Sequence, residues 1–221
     1  MDYGDSISSL KDGVYFVRKR KMLPYFLMFL LVSEAFSYSL FFGAADIRNI
    51  GIGLLSLMAV IEFLICIFVL ELILLAYLLD RERIKSGVYK LVYNAYRNYL
   101  YFAISTIAEL FVIFGSAVLL FVPVLYFGPR AMPVNVTSLY EGISPYDSIK
   151  RYSTVKMDDF TALLMAFLPY LAGFGAVLYF LFVGHGVETV YGVFVGVFLL
   201  SYIISAFTVS SANLSFRFKE T

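Results

Sequence analysis

Four uninterrupted apolar stretches, roughly residues 22 to 43, 52 to 79, 160 to 183 and 189 to 212, are each long enough to cross ~30 Å of hydrocarbon at about 1.5 Å per residue. Nothing else in the chain narrows its choice of fold so far. Lipid offers no hydrogen bonds, so a backbone that crosses it in such runs must satisfy itself as helix. Of the 221 residues, 61% are hydrophobic and only 15% charged, more apolar surface than a soluble core of this size hides. The expected fold class is therefore an all-α integral membrane protein with a single membrane domain. A polar segment from Asp2 to Asp12 precedes the first run and no small-residue cleavage site follows it. That run is expected to be a retained span, not a signal peptide.

A fifth stretch, Tyr99 to about Val136, is too long for one span and holds Pro123, Pro129, Arg130 and Pro133. It reads as one helix or as two, and charge decides between them. If Tyr99 to Val122 ascends and Val124 to about Tyr140 returns, the chain has six spans and both termini share one side. All but Arg48 and Arg130 of the 17 basic residues then face the cytoplasm, as the positive-inside rule asks. Five spans would put Lys150, Arg151 and Lys156 outside. Six transmembrane helices are preferred, grouped as three hairpins at about 5–79, 83–140 and 145–214.

A short phrase supports that grouping. Leu10, Lys11, Asp12, Gly13, Val14, Tyr15 returns as Ile84, Lys85, Ser86, Gly87, Val88, Tyr89, with a degenerate third copy at Ile149, Lys150, Arg151, and each copy stands before an apolar run. Helical spacing places Ile84, Val88, Leu91, Ala95 and Tyr99 on one face, and Ile7, Leu10, Val14 and Val17 on another; Ile149, Tyr152 and Val155 repeat the pattern more briefly. Each hairpin is thus expected to open with a cationic amphipathic helix in the inner headgroup layer. The candidate headgroup contacts are Arg18, Lys19, Arg20, Lys21, Lys85, Lys90, Arg97, Lys150 and Arg151. Anionic lipid is the expected partner of this collar, with docking of a protein partner or a second copy as the alternative. No nucleic-acid partner and no cofactor are expected.

The segments Leu119, Leu120, Phe121, Val122, Pro123, Val124, then Arg130, Ala131, Met132, Pro133, then Ser144, Pro145, Asp147, Ser148, Ile149, Lys150, Arg151 carry a family resemblance. With the order of basic helix, span and polar return helix, they resemble the membrane domain fused to some glycerophosphodiester phosphodiesterases and related multipass membrane families. The resemblance implies a multipass helical fold and no activity. The phosphodiesterase domain itself has no counterpart, because no soluble segment here is long enough to hold it.

Charge inside the membrane is costly, so each intramembrane ionisable group asks for a partner. Counted from the outer ends of their spans, Glu34 and Glu62 lie roughly 14 Å deep and Arg130 roughly 10 Å deep at 1.5 Å per residue. Together with Glu109 they form a candidate polar network. It reads as a charge cluster holding the hairpins in register, or as a pocket for a proton, cation or small solute. Glu71, near the inner end of the second span, is expected to snorkel or face water.

Other features point to no chemistry of their own. His185 and Glu188 share a short outer loop and are read as loop-capping residues. Gly192 and Gly196 form a small-xxx-small face, within the monomer or between copies. Cys66, the only cysteine, rules out an intramolecular disulfide and reads as a small apolar residue. The glycosylation triplets at Asn135 and Asn213 fall near the inner face and are read as chance. No phosphate loop, zinc-protease helix or nucleophile elbow occurs, so no enzyme is expected. The functional expectation is a non-enzymatic scaffold or lipid-engaging protein of the cell membrane, with a small channel or transporter as the alternative.

Overall fold

A computed structural model describes residues 3–18, 22–41, 52–82, 88–118, 122–184 and 189–220, and they are helical almost throughout. The helices are α1 (Tyr3–Val14), α2 (Leu23–Phe41), α3 (Ile52–Arg81), α4 (Val88–Val118), α5 (Val122–Ala131), α6 (Val134–Glu141), α7 (Pro145–Ser153), α8 (Met157–Phe182) and α9 (Val190–Glu220), with a 3-10 turn at Phe16–Arg18. Among the described residues there is no strand. Three segments, Leu57–Arg81, Asp159–Phe182 and Tyr191–Ser215, are long and apolar enough to cross a membrane, and Leu23–Ser37 is a shorter apolar helix. The chain is an all-helical membrane protein.

Neighbours in sequence pair in space: α2 with α3, α4 with α5, and α8 with α9. What joins the pairs is a packed half built from the C-terminal parts of α3 and α9. On α3, Ile67, Val69 to Leu74 and Ala76 to Leu78 are buried, whereas Leu57, Met58, Val60, Ile61, Leu64 and Ile65 are exposed. On α9, Ser201, Ser205, Ala206 and Thr208 to Leu214 are buried, whereas Tyr191, Phe194, Val195, Phe198 and Leu199 are exposed.

The C-terminal part of α9 is rich in Ser, Thr, Ala and Asn, and its hydroxyls turn back on their own helix. Thr208 donates to the Ile204 carbonyl at 2.9 Å, Ser211 to Phe207 at 2.8 Å and Ser215 to Ser211 at 2.9 Å. These bonds satisfy polar groups without a partner helix and leave a low surface for close approach. The approaching element is α1. Its Ser9 hydroxyl donates to the Ser210 carbonyl at 2.7 Å, its Ser6 hydroxyl to Ala162 of α8 at 2.9 Å, and Tyr202 of α9 donates to the Val14 carbonyl. At Gly13 a Cβ would stand 2.4 Å from the Tyr170 hydroxyl and 2.5 Å from the Ala206 carbonyl, so the contact requires glycine.

This overturns the first of the three expected surface helices. The face of α1 turned inward carries Ser6, Ser9 and Gly13, followed by Phe16 beyond the helix end, while Ile7 is 55% exposed. Small residues win that face because α9 offers a close-packing stripe, which a row of large side chains would hold away. The second expected helix is the first part of α4, with no break before the apolar run. Its predicted face is buried at Leu91 and Ala95, against protein. The third, α7, buries Ser148 and Tyr152 and exposes Ile149. Ser144 caps it, accepting from the Asp147 N–H and donating to the Asp147 carboxylate at 2.6 Å, with Pro145 at the first turn. That serine, proline and aspartate belong to the residues carrying the family resemblance, and here they form the N-cap and first turn of the helix.

The repeated phrase does not mark equivalent positions. Leu10 to Val14 close α1, Val88 and Tyr89 open α4, and Ile149 to Arg151 lie within α7; Ile84 to Gly87 lie outside the described residues. The expected return helix from Val124 to Tyr140 is also two helices. It breaks at Met132 and Pro133, and the second piece ends on Gly142 at φ 64°.

Candidate functional site

Two of the four residues expected to form the polar network share an interface. Glu34 lies on α2 and Glu62 on α3, helices that pack on each other. Between them, the Ser33 hydroxyl is 3.9 Å from the Cys66 thiol, so Cys66 is half-buried among side chains as expected for a small apolar residue. One Glu34 oxygen is buried without a hydrogen-bond partner. Glu109 falls within α4, and its side chain lies outside what is described.

Arg130 is elsewhere. The guanidinium carbon lies 3.8 Å from the centre of the Tyr126 ring and 4.1 Å from the centre of the Phe160 ring, and Nη1 donates to the Tyr126 carbonyl at 2.8 Å. Phe160 belongs to the first turn of α8, and α5 packs on α4, α7 and α8, whereas α2 packs on α3 and α9. The expected meeting with Glu34 and Glu62 rested on matched depths, and equal depth does not bring α5 against α2. Arg130, within α5, instead meets the Tyr126 and Phe160 rings, whose centres are 6.0 Å apart, an attraction worth about 0.5 to 2 kcal/mol.

Glu71, assigned to water from its place in the sequence, is 0% exposed. Both carboxyl oxygens are buried without a hydrogen-bond partner, and Val69, Leu70, Leu72, Ile73 and Leu74 around it are buried as well. A carboxyl group buried without hydrogen bonds is costly to place, most of all if it is charged. Position in a span could not reveal this, because burial there comes from the other helices that pack on α3, namely α2, α4 and α9.

At the same end a polar chain links three helices. Asn213 of α9 donates to the Asp12 carboxylate of α1 at 2.7 Å and accepts from Arg81 of α3. Asn213 is 3% exposed, which agrees with reading its triplet as chance. The Thr137 and Tyr152 hydroxyls meet at 2.8 Å and those of Ser138 and Ser148 at 3.0 Å, tying α6 to α7. Burial pushes the Tyr152 phenol up from its usual range. Gly196 packs on Leu181 within the monomer: a Cβ there would be 2.3 Å from Leu181.

Of the expected headgroup contacts, Arg18, Lys90, Arg97 and Lys150 are exposed, as are Lys11 and Lys156. Arg18 lies over the Tyr15 ring at 4.3 Å, and Arg151 pairs with Glu141 at 2.7 Å. Lys19, Arg20, Lys21 and Lys85 lie outside the described residues, as do His185 and Glu188. Among the described residues no group of three His, Cys, Asp or Glu could hold a metal. Compared with protein-family models, curated proteins and solved structures, the chain matches none.

Proposed function

We propose that the protein is a non-enzymatic multi-pass component of the cell membrane that engages anionic lipid, or scaffolds a partner, through a basic collar on its cytoplasmic side. One observation carries the reading. Lys11, Arg18, Lys90, Arg97, Lys150 and Lys156 are all exposed, and all lie outside the candidate membrane spans. Six membrane crossings in three hairpins, with both termini cytoplasmic, fit the contacts. The end of α3, the end of α9 and the start of α8 are joined through Arg81, Asn213, Asp12, Ser6 and Ala162, which supports an outward and return passage of the intervening chain. The likeness to phosphodiesterase-linked membrane domains belongs to the same proposal and adds a multipass fold without an activity.

The collar is tested with spin-labelled phosphatidylglycerol in reconstituted membranes. Neutralising Lys85, Lys90 and Arg97 lowers the motionally restricted anionic fraction, and salt lowers it in the wild type. Equal restriction in mutant and wild type defeats the collar. Cysteines placed at Lys11 and Lys150 should label from the same side; opposite sides defeat the six-crossing arrangement. A second reading, passage of protons or small cations, draws on Glu34 and Glu71, whose buried oxygens lack hydrogen-bond partners. Unchanged flux in Glu34→Gln and Glu71→Gln proteoliposomes removes it.

A further inference from the structure

We propose that Arg130 holds the phosphate of one anionic phospholipid where α5 crosses the first turn of α8. The proposal rests on the lipid-engaging reading but concerns a single stoichiometric site instead of a diffuse collar.

The argument begins with an unmatched charge. Arg130 is 8% exposed, and among the described residues it forms no ion pair. A guanidinium has five N–H donors and does not lose its proton. Here one donor meets the Tyr126 carbonyl, and Nε is buried without a hydrogen-bond partner. Ring faces attract a cation but accept no hydrogen bond in its plane, so the edge remains unsatisfied. Tyr126 and Phe160, whose ring centres are 6.0 Å apart, take two adjacent sides of the guanidinium and supply no acceptor for its remaining donors. Two oxygens of one phosphate fit such a fork, which a lysine could not reproduce.

The surroundings favour a lipid as the source of that phosphate. Tyr126, Phe127 and Met157 are exposed apolar side chains beside the clamp, a surface for acyl chains. Lys156 and Asp159, just before Phe160 in the chain, line a cavity of about 210 Å³ together with Arg151, Tyr152, Thr154 and Val155. Arg151 is engaged by Glu141, and the charges of Lys156 and Asp159 offset each other. The cavity is therefore close to neutral, and the phosphate charge falls to Arg130.

The test uses the full chain in detergent, with native mass spectrometry and titration by short-chain phosphatidylglycerol, phosphatidylcholine and inorganic phosphate. One phosphatidylglycerol per chain should survive high salt, phosphatidylcholine should bind at least tenfold more weakly, and inorganic phosphate should not displace the lipid at equal concentration. Arg130→Gln should lower affinity at least tenfold, and Arg130→Lys and Phe160→Leu severalfold. The latter two carry the test if Arg130→Gln does not fold. Equal retention by wild type and every folded variant overturns the site, and displacement by equal inorganic phosphate overturns its assignment to lipid. Replacing Lys90, Arg97 and Lys150 by Gln separates the two ideas. If that variant keeps its tight lipid, the site stands whatever becomes of the collar; if it alone loses the lipid while Arg130→Gln retains it, the site fails and the collar stands.

Discussion

The two halves of α3 are both strongly apolar and have different fates: Leu57, Met58, Val60, Ile61, Leu64 and Ile65 are exposed, whereas Ile67 to Leu78 are almost wholly enclosed. The same division runs along α9. There composition announces it, since the buried half carries the small and hydroxylated residues and the exposed half the aromatics. In lipid, apolarity gives no preference for protein over acyl chain, so close packing and hydrogen bonds decide where helices meet. The glycine and serines of α1 meet the stripe on α9, and α9 in turn packs on α3.

Truncation at matched leucines should separate the halves most strongly. Leu74→Ala, at a fully buried position, is expected to cost ~2 to 5 kcal/mol, whereas Leu199→Ala, 39% exposed, should cost less than ~1 kcal/mol because lipid fills the gap. Reversible unfolding in mixed micelles reads both, and similar losses would end the distinction between the halves. Glycines sharpen it. Gly13→Ala should destabilise by ~1 to 3 kcal/mol through overpacking against Tyr170 and Ala206, whereas Gly175, where an added Cβ would meet nothing within 4 Å, should accept alanine with a gain of up to ~1 kcal/mol from helix propensity. A neutral Gly13→Ala would mean that α1 is not seated on α9.

A smaller effect is expected at Glu71. If it is a neutral acid among apolar neighbours, Glu71→Gln changes stability by less than ~1 kcal/mol, and Glu71→Leu is neutral or stabilising. A loss of several kcal/mol in both would reveal an ionised, paired carboxylate. The smallest effect concerns alkaline pH. Tyr152 has its phenol raised above 10.0 by burial, so the folded state keeps a proton that the unfolded chain releases. The associated stability is complete below pH 10 and declines as pH rises through the folded value. Tyr152→Phe should flatten that decline, and an unchanged profile would remove Tyr152 as its source.

Much of the helical layout was legible in advance, and the exceptions follow one pattern. The apolar stripe of α4 through Leu91 and Ala95 was legible because it spans several turns, but it was assigned to the headgroup layer and packs into the protein core instead. The face of α1 was misread because Ile7 and Leu10 outweigh Ser6, Ser9 and Gly13 in hydropathy, although the smaller residues pack better. The placing of Glu71 and Arg130 failed for a related reason: depth counted along one span ignores which other helices pack beside it.

Helicity, membrane residence and the clustering of cations could be written down from consecutive residues, because backbone hydrogen bonding and transfer into lipid act over a turn or a span. The enclosure of Glu71, the aromatic clamp on Arg130 and the seating of α1 arose only when segments distant in the chain came together. Burial inside a membrane protein is set by which helix surfaces can approach most closely, and no single stretch carries that information.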